Sequence, residues 1–158
     1  MLPILFIPAF EIAYVFFVLS TPLFFGYARS TLSSVTWRSF LIIVGASFGV
    51  FVVVNVLGDE NFGWANRVLH ALGGGAMAML VCYRAMKDAH LKISRFQFVA
   101  LSLLLATAMG VANELMEFSI QTTAGIIFAP NTMDTWLDLT SNTVGMVVAG
   151  TIAWFFWE

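Results

Sequence analysis

Long apolar runs, separated by short polar stretches, dominate the hydrophobic pattern of the chain. A transmembrane helix needs about 20 predominantly apolar residues, and five runs meet that length. Their hydrophobicity is continuous rather than alternating, which argues against strands. The sequence therefore predicts an all-α, polytopic membrane protein, a compact bundle of five transmembrane helices that forms a single domain over residues 1–158. The predicted helices run from about Pro3 to Phe25, Phe40 to Leu57, Trp64 to Tyr83, Phe96 to Thr122 and Asp134 to Trp157.

The amino-acid composition supports this assignment. The 158 residues are 60% hydrophobic and only 10% charged, whereas a soluble domain carries about 25% charged residues. A net charge of −2 gives no indication of nucleic-acid binding. The single cysteine, Cys82, cannot form an internal disulfide.

Basic residues lie in alternate loops of the predicted bundle. Cytoplasmic loops carry the excess of Lys and Arg in membrane proteins. We therefore expect the N-terminus outside and the C-terminus in the cytoplasm, with Lys87, Asp88 and His90 in a solvated cytoplasmic loop. The basic residues that set this orientation are Arg29 and Arg38 in one loop and Arg84, Lys87, Lys92 and Arg95 in the other.

In this topology the ionisable residues of the predicted helices share one depth, on the extracytoplasmic side. A charged side chain inside a membrane is costly and is kept where it pairs, binds a ligand or conducts. Asp134, Asp138 and Asn142 recur every four residues and so share a helix face. Gly73–Gly75 is expected to be a close packing site. The other ionisable residues at the extracytoplasmic depth are Glu11 on the first helix, Arg67 and His70 on the third, and Glu114 and Glu117 on the fourth.

If these faces meet, they enclose four carboxylates, one guanidinium and one imidazole, and three negative charges remain uncompensated when the imidazole is neutral. Such a cluster in a low dielectric requires protons, a cation or a cationic ligand. Imidazole with carboxylates suits a divalent metal such as Zn, Fe or Mn. The candidate catalytic groups and metal ligands are the same four residues, and three others are candidates for substrate binding. The first set is His70, Glu114, Glu117 and Asp138; the second is Arg67, Asp134 and Asn142.

Structural roles compete with each of these assignments. Asp134 is placed to favour a helix N-terminus through the helix dipole. Arg67 could be a structural partner of the acids rather than a substrate clamp. His70 could be a hydrogen-bonded core histidine, and Asp138 with Asn142 could form a hydrogen-bond network between helices.

Three motif blocks resemble the YjdF-like family of small bacterial membrane proteins. They are Asn66-Arg67-Val68-Leu69-His70, Asn113-Glu114-Leu115-Met116-Glu117-Phe118 and Asp134-Thr135-Trp136-Leu137-Asp138. The closing Asp138-x-x-x-Asn142-x-x-Gly145 is similar to the related VanZ-like proteins. The chain departs from the family pattern at Asn66, where the family has an acid, and at Asn113, where it has an aromatic residue. The resemblance implies a multi-pass protein of a bacterial cytoplasmic (inner) membrane with an outward-facing site, carried by Arg67, His70, Glu114, Glu117, Asp134 and Asp138.

The sequence is compatible with three functions, and it does not determine whether the protein is an enzyme. The preferred one is a site that acts on or binds a lipid or cell-envelope head group, since the acids and His70 cluster at outer-leaflet depth. A proton- or cation-coupled transporter would need a polar path, for which the inner half offers few groups. A non-catalytic accessory subunit of a membrane complex is the third. The expected partners are membrane lipids, a lipid-linked or envelope substrate, and copies of the chain or a larger membrane assembly, without nucleic acid. The inner polar groups are Ser47, Asn55, Thr107 and Thr151.

Overall fold

The structure, a computed structural model, describes residues 3–26, 34–57, 63–127 and 131–157. Within those ranges 88% of the residues are helical and none forms a strand. The prediction of an all-α protein is therefore confirmed. Arg29, which helped to set the expected orientation, lies outside the described residues.

Each of the five predicted segments forms a helix. Helices α2 to α5 are long and apolar enough to cross a membrane, and the described side chains of α1 give a shorter apolar stretch, Ala9–Phe24. The chain therefore has the helices of a membrane protein, while the first span and the orientation stay predictions. The helices are α1, Pro3–Phe24; α2, Trp37–Leu57; α3, Trp64–Asp88; α4, Arg95–Ala124; and α5, Thr132–Phe156.

Local sequence determines where α4 and α5 begin. Ser94 precedes α4 and forms a capping box, because its hydroxyl accepts from the Gln97 backbone N–H at 3.3 Å while the Gln97 side chain accepts from the Ser94 N–H at 2.9 Å. At α5 the Asn131 side chain accepts from the Asp134 N–H at 3.1 Å, and Asp134 lies in the first turn. The expected place of Asp134 at a helix N-terminus is confirmed. Gly125 follows α4 in the left-handed region, at φ 68°, which glycine adopts without steric cost.

Helix α3 lies at the centre of the bundle and packs against each of the other four helices. Half of its most apolar stretch is buried, compared with 17–28% for the other three long helices. The buried residues of α3 are therefore close to other helices, and α3 positions polar groups at both of its ends.

The middle of α3, His70–Met77, is a π-helix. Such wide turns are rare and often mark functional sites. Helix α5 packs on this segment with the two backbones in contact. A Cβ added at Gly145 would collide with the Ala71 carbonyl, and one added at Gly75 would lie 2.8 Å from the Gly145 Cα. Small residues permit this approach. The close packing expected at Gly73–Gly75 is found at Gly74 and Gly75, while a Cβ at Gly73 would meet only Leu69 Cδ1, at 3.8 Å.

Asp88 joins three helices at the opposite end of α3. Its Oδ2 accepts from the Tyr14 hydroxyl at 2.6 Å, from the Thr36 hydroxyl at 3.2 Å and from the Ser39 hydroxyl. Arg84 lies one turn earlier, with its Nη2 at 3.5 Å from Asp88 Oδ1. The prediction of a solvated loop at Asp88 is wrong, because α3 continues through this residue and α1 and α2 pack beside it.

Large apolar side chains cover the outer surface of the bundle. They are too many and too exposed for a chain that keeps its hydrophobic residues inside. Together with the length of the helices they indicate a membrane protein. Examples from all five helices are Phe16, Leu41, Trp64, Phe118 and Phe155, each at least 63% exposed.

Candidate functional site

Three helices bring one potential metal ligand each to a common point. His70 begins the π-helical segment of α3, Glu114 lies on α4 and Asp138 on α5. Each offers one ligand atom, and the three atoms lie within 4.8 Å of one another in a buried group. The meeting of the three polar faces, which the sequence could only suggest, is present in the structure.

Arg67 holds two aspartates of α5. Its Nη2 forms an ion pair with Asp134 Oδ1 and its Nη1 forms one with Asp138 Oδ1, and both aspartate side chains are about 95% buried. Asp138 Oδ1 also accepts from the Asn66 side chain at 3.1 Å and lies 3.4 Å from His70 Nε2. These contacts are those of a structural partner, and through them α3 fixes the carboxylate of Asp138. The role of Arg67 in substrate binding stays a prediction.

Two carboxylate oxygens of the site are buried without a hydrogen-bond partner among the described residues. They are Glu114 Oε1 and Asp134 Oδ2. The large majority of buried side-chain polar atoms in proteins have such a partner. An unsatisfied buried acceptor costs about 1–3 kcal/mol. A proton, a cation or a bound ligand group at these oxygens would remove that cost.

Glu117, although only three residues from Glu114, does not belong to the three-residue ligand group. Its Oε1 instead accepts from the Asn113 side chain at 2.8 Å, one turn earlier on α4. The structure therefore separates the four predicted metal ligands into a group of three and one neighbour. Glu117 remains close enough to add its negative charge to the surroundings of Asp138.

Asn142 occupies the next turn of α5 after Asp138 and is 2% exposed. Its side-chain oxygen lies against Gly74, where a Cβ would collide with it, and its backbone carbonyl lies against Gly75. Asn142 and His70 also form part of the wall of a cavity of about 290 Å³. The residue thus takes part in helix packing and borders the space next to the site.

The few polar groups that the sequence offers for a transport path do not share one cavity wall in the structure. Of the four, only Ser47 lies on the cavity wall. Asn55 and Thr151 are exposed and hydrogen-bond to carbonyls of their own helices at 2.7 and 2.8 Å. Thr107 is exposed, and its hydroxyl lies 3.9 Å from the Met146 sulfur.

The sequence reading missed the roles of Asn66 and Asn113, each of which donates a hydrogen bond to an acid of the set. The Asn113–Glu117 spacing of four residues was a usable signal, since such residues are neighbours on a helix. Glu11 on α1 is a further acid with both oxygens buried and unpartnered within the described part of the chain, but it does not belong to the ligand group.

Comparisons with known proteins identify no relative. The resemblance to the YjdF-like and VanZ-like proteins thus rests on the motif residues alone and stays a prediction. No protein-family model matches the chain, and neither a curated protein nor a solved structure matches it.

Proposed function

We propose that this protein is a membrane protein that binds a divalent metal at His70, Glu114 and Asp138 and uses that site to bind or act on the polar head group of a lipid or cell-envelope component. The observation that carries the proposal is the meeting of three ligand atoms from three helices within 4.8 Å of one another. Glu114 Oε1 supports it, because this oxygen is buried without a hydrogen-bond partner among the residues that the structure describes, and a cation would satisfy it.

The charge of the site favours a cation. The positive charge of Arg67 offsets the negative charge of one of its two aspartate partners. Glu114 and Glu117 add two more carboxylates beside them. With all four acids ionised and the imidazole neutral, three negative charges are uncompensated. Several like charges in a poorly solvated site are tenable only with counter-charge or protons, and a divalent ion supplies two positive charges at the point where the ligand atoms meet.

The ligand types narrow the metal to a few elements. One imidazole and two carboxylates suit Zn, Fe or Mn better than Ca or Mg, which prefer oxygen ligands alone. A site with three protein ligands leaves coordination positions for water or substrate, as catalytic zinc sites do. When bound, such an ion would supply Lewis-acid polarisation of a head-group oxygen. Arg67 and Asn66 keep Asp138 in position for this, through the contacts they make with its Oδ1.

The proposed orientation places this site at the extracytoplasmic face. The basic residues Arg84, Lys87, Lys92 and Arg95 lie at the opposite end of α3 and α4 from the site, and cytoplasmic ends are the basic ones. We propose that the N-terminus is outside and that α1 completes a five-span bundle. The motif resemblance favours the cytoplasmic membrane of a bacterium, where an outward-facing site meets lipids and envelope precursors.

Metal analysis of purified protein tests the proposal. The chain would be purified in detergent with a tag that contains no histidine, incubated with Zn²⁺, Mn²⁺ or Fe²⁺, desalted and analysed by elemental mass spectrometry. We expect about one metal ion per chain in the wild type, and its loss in Glu114→Gln and in Asp138→Asn.

Glu117→Gln is the matched control. It removes the same charge from the same helix, but Glu117 lies outside the ligand group, so metal should be retained. Equal loss from Glu114→Gln and Glu117→Gln would show that charge alone attracts the ion. A wild-type protein that retains none of the three metals would contradict the proposal.

A further inference from the structure

The cavity beside the site is mainly apolar and lies between all five helices. Its volume is about 290 Å³. Apolar side chains, glycine and alanine form most of its wall, and four polar residues interrupt it. The apolar members include Phe10, Val50, Leu69 and Met109; the polar ones are Ser47, His70, Asn113 and Asn142.

The polar part of the wall is continuous with the proposed metal site. His70 is a member of the ligand group, Asn142 is one turn from Asp138, and Asn113 holds Glu117. From His70 the wall follows α3 to Ala78, roughly 10 Å along the helix axis. The cavity therefore begins at the charged cluster and continues into the apolar part of the bundle.

The cavity also reaches the outer surface of the bundle. Ala9, Ala112 and Met116 line it and are exposed, Met116 by 52%. Ala112 lies among other exposed apolar residues of α4, such as Val111 and Leu115. In a membrane this side of the bundle would face lipid chains, so a chain could enter from the side without crossing water.

We propose that this cavity receives the alkyl chain of a lipid whose polar head group lies at the His70–Glu114–Asp138 site. The inference rests on the proposed function and adds the class of substrate, an amphiphile with a hydrocarbon chain. A water molecule takes up ~30 Å³, and a methylene group is close to it in size. The cavity therefore has room for a hydrocarbon chain of about ten methylenes. Glycine at positions 73 and 110 provides width: a Cβ at Gly73 would meet only Leu69 Cδ1, at 3.8 Å.

Photo-crosslinking tests this assignment. The probe is phosphatidylglycerol with a diazirine near the ninth carbon of one acyl chain, mixed at low fraction into phosphatidylcholine nanodiscs that hold the protein. After illumination, labelled peptides are mapped by mass spectrometry. We expect labelling of wall residues such as Val50 and Met109 in the wild type.

Ala112→Trp should lower that labelling at least fivefold, because the ring occupies the opening. Val111→Trp is the matched control, since Val111 is the neighbouring exposed residue and does not line the cavity; it should leave wall labelling unchanged. Val50→Phe fills the same cavity from α2. It replaces Ala112→Trp in the experiment if Ala112→Trp does not fold, and it should lower the labelling of the wall to the same extent.

Metal content measured on the same samples separates the two proposals. Labelling of the cavity wall in a protein that binds no metal would support the alkyl-chain site and refute the metal site. Bound metal with labelling confined to exposed residues such as Leu104 would overturn the chain assignment, as would wall labelling that neither blocking variant reduces.

Discussion

Replacement of Gly145 by alanine tests the contact on which the arrangement of α3 and α5 depends. A Cβ at this position would lie 2.7 Å from the Ala71 carbonyl carbon, where ordinary contacts are 3.4–4 Å. The atoms it meets are backbone atoms of the π-helical segment, so no side chain can rotate away. The Ala71 carbonyl oxygen lies closer still, so the two helices must separate locally by more than ~1 Å, in an interior that is close-packed.

Forcing an extra carbon into such a contact costs about 1–3 kcal/mol or more. Alanine also favours the helix over glycine by about 0.5–1 kcal/mol. Gly49→Ala on α2 isolates the first contribution, because nothing lies within 4 Å of a Cβ added at Gly49. Both variants gain the helical preference, and only Gly145→Ala meets an obstacle. The difference in unfolding free energy between them is therefore expected to be about 1–3 kcal/mol.

Thermal unfolding in one detergent, followed by circular dichroism, measures this difference. At roughly 2–4 °C per kcal/mol for a chain of this size, Gly145→Ala should unfold at a midpoint roughly 2–12 °C below that of Gly49→Ala. A Gly145→Ala midpoint equal to or above that of the control would refute the backbone contact between α3 and α5.

Three further predictions concern the charged cluster and the Asp88 end of the bundle. Arg67→Ala leaves two buried aspartates without their cation and should cost about 3–5 kcal/mol of unfolding free energy; an unchanged thermal midpoint would contradict the double ion pair. Tyr14→Phe removes a donor to Asp88 and should cost about 1–3 kcal/mol in denaturant titration, and no cost would mean that Asp88 is solvated. Trp157→Ala removes a ring stacked on Phe98 at 4.2 Å and should cost about 3–5 kcal/mol. For that variant a midpoint equal to the wild type would show that the chain end does not pack on the bundle.

The helices and the polar face of α5 could be predicted from the sequence because both follow from local rules. Apolar length defines a helix that can cross a membrane, and the four-residue spacing of Asp134, Asp138 and Asn142 defines a face. All three are buried in the structure, at 4%, 3% and 2% exposed, while Trp136 on the opposite face is 62% exposed.

Features that depend on packing between distant residues could not be predicted. The donors to Asp88 on α1 and α2 are 74 and 49 residues away, at Tyr14 and Ser39. The π-helical turns of α3 accompany the contact with α5, which no local propensity encodes. Glu114 and Glu117 are both glutamates on α4, so the residue type does not distinguish them. Residues three apart point about 60° apart around a helix, and of these two only Glu114 joins the group with His70.

The two ends of α3 differ in whether their hydrogen bonding is complete. At the Asp88 end, the hydroxyls of Tyr14, Thr36 and Ser39 all donate to Asp88 Oδ2, so this carboxylate oxygen is satisfied by the protein itself. At the His70 end, Glu114 Oε1 on α4 and Asp134 Oδ2 on α5 have no hydrogen-bond partner within the described part of the chain. A ligand that binds only the assembled bundle stabilises it by mass action, so α4 and α5 should exchange backbone hydrogens faster in metal-free protein while the Asp88 end stays protected. Metal loading at the proposed site would then be the step that completes the packing of α4 and α5 against α3.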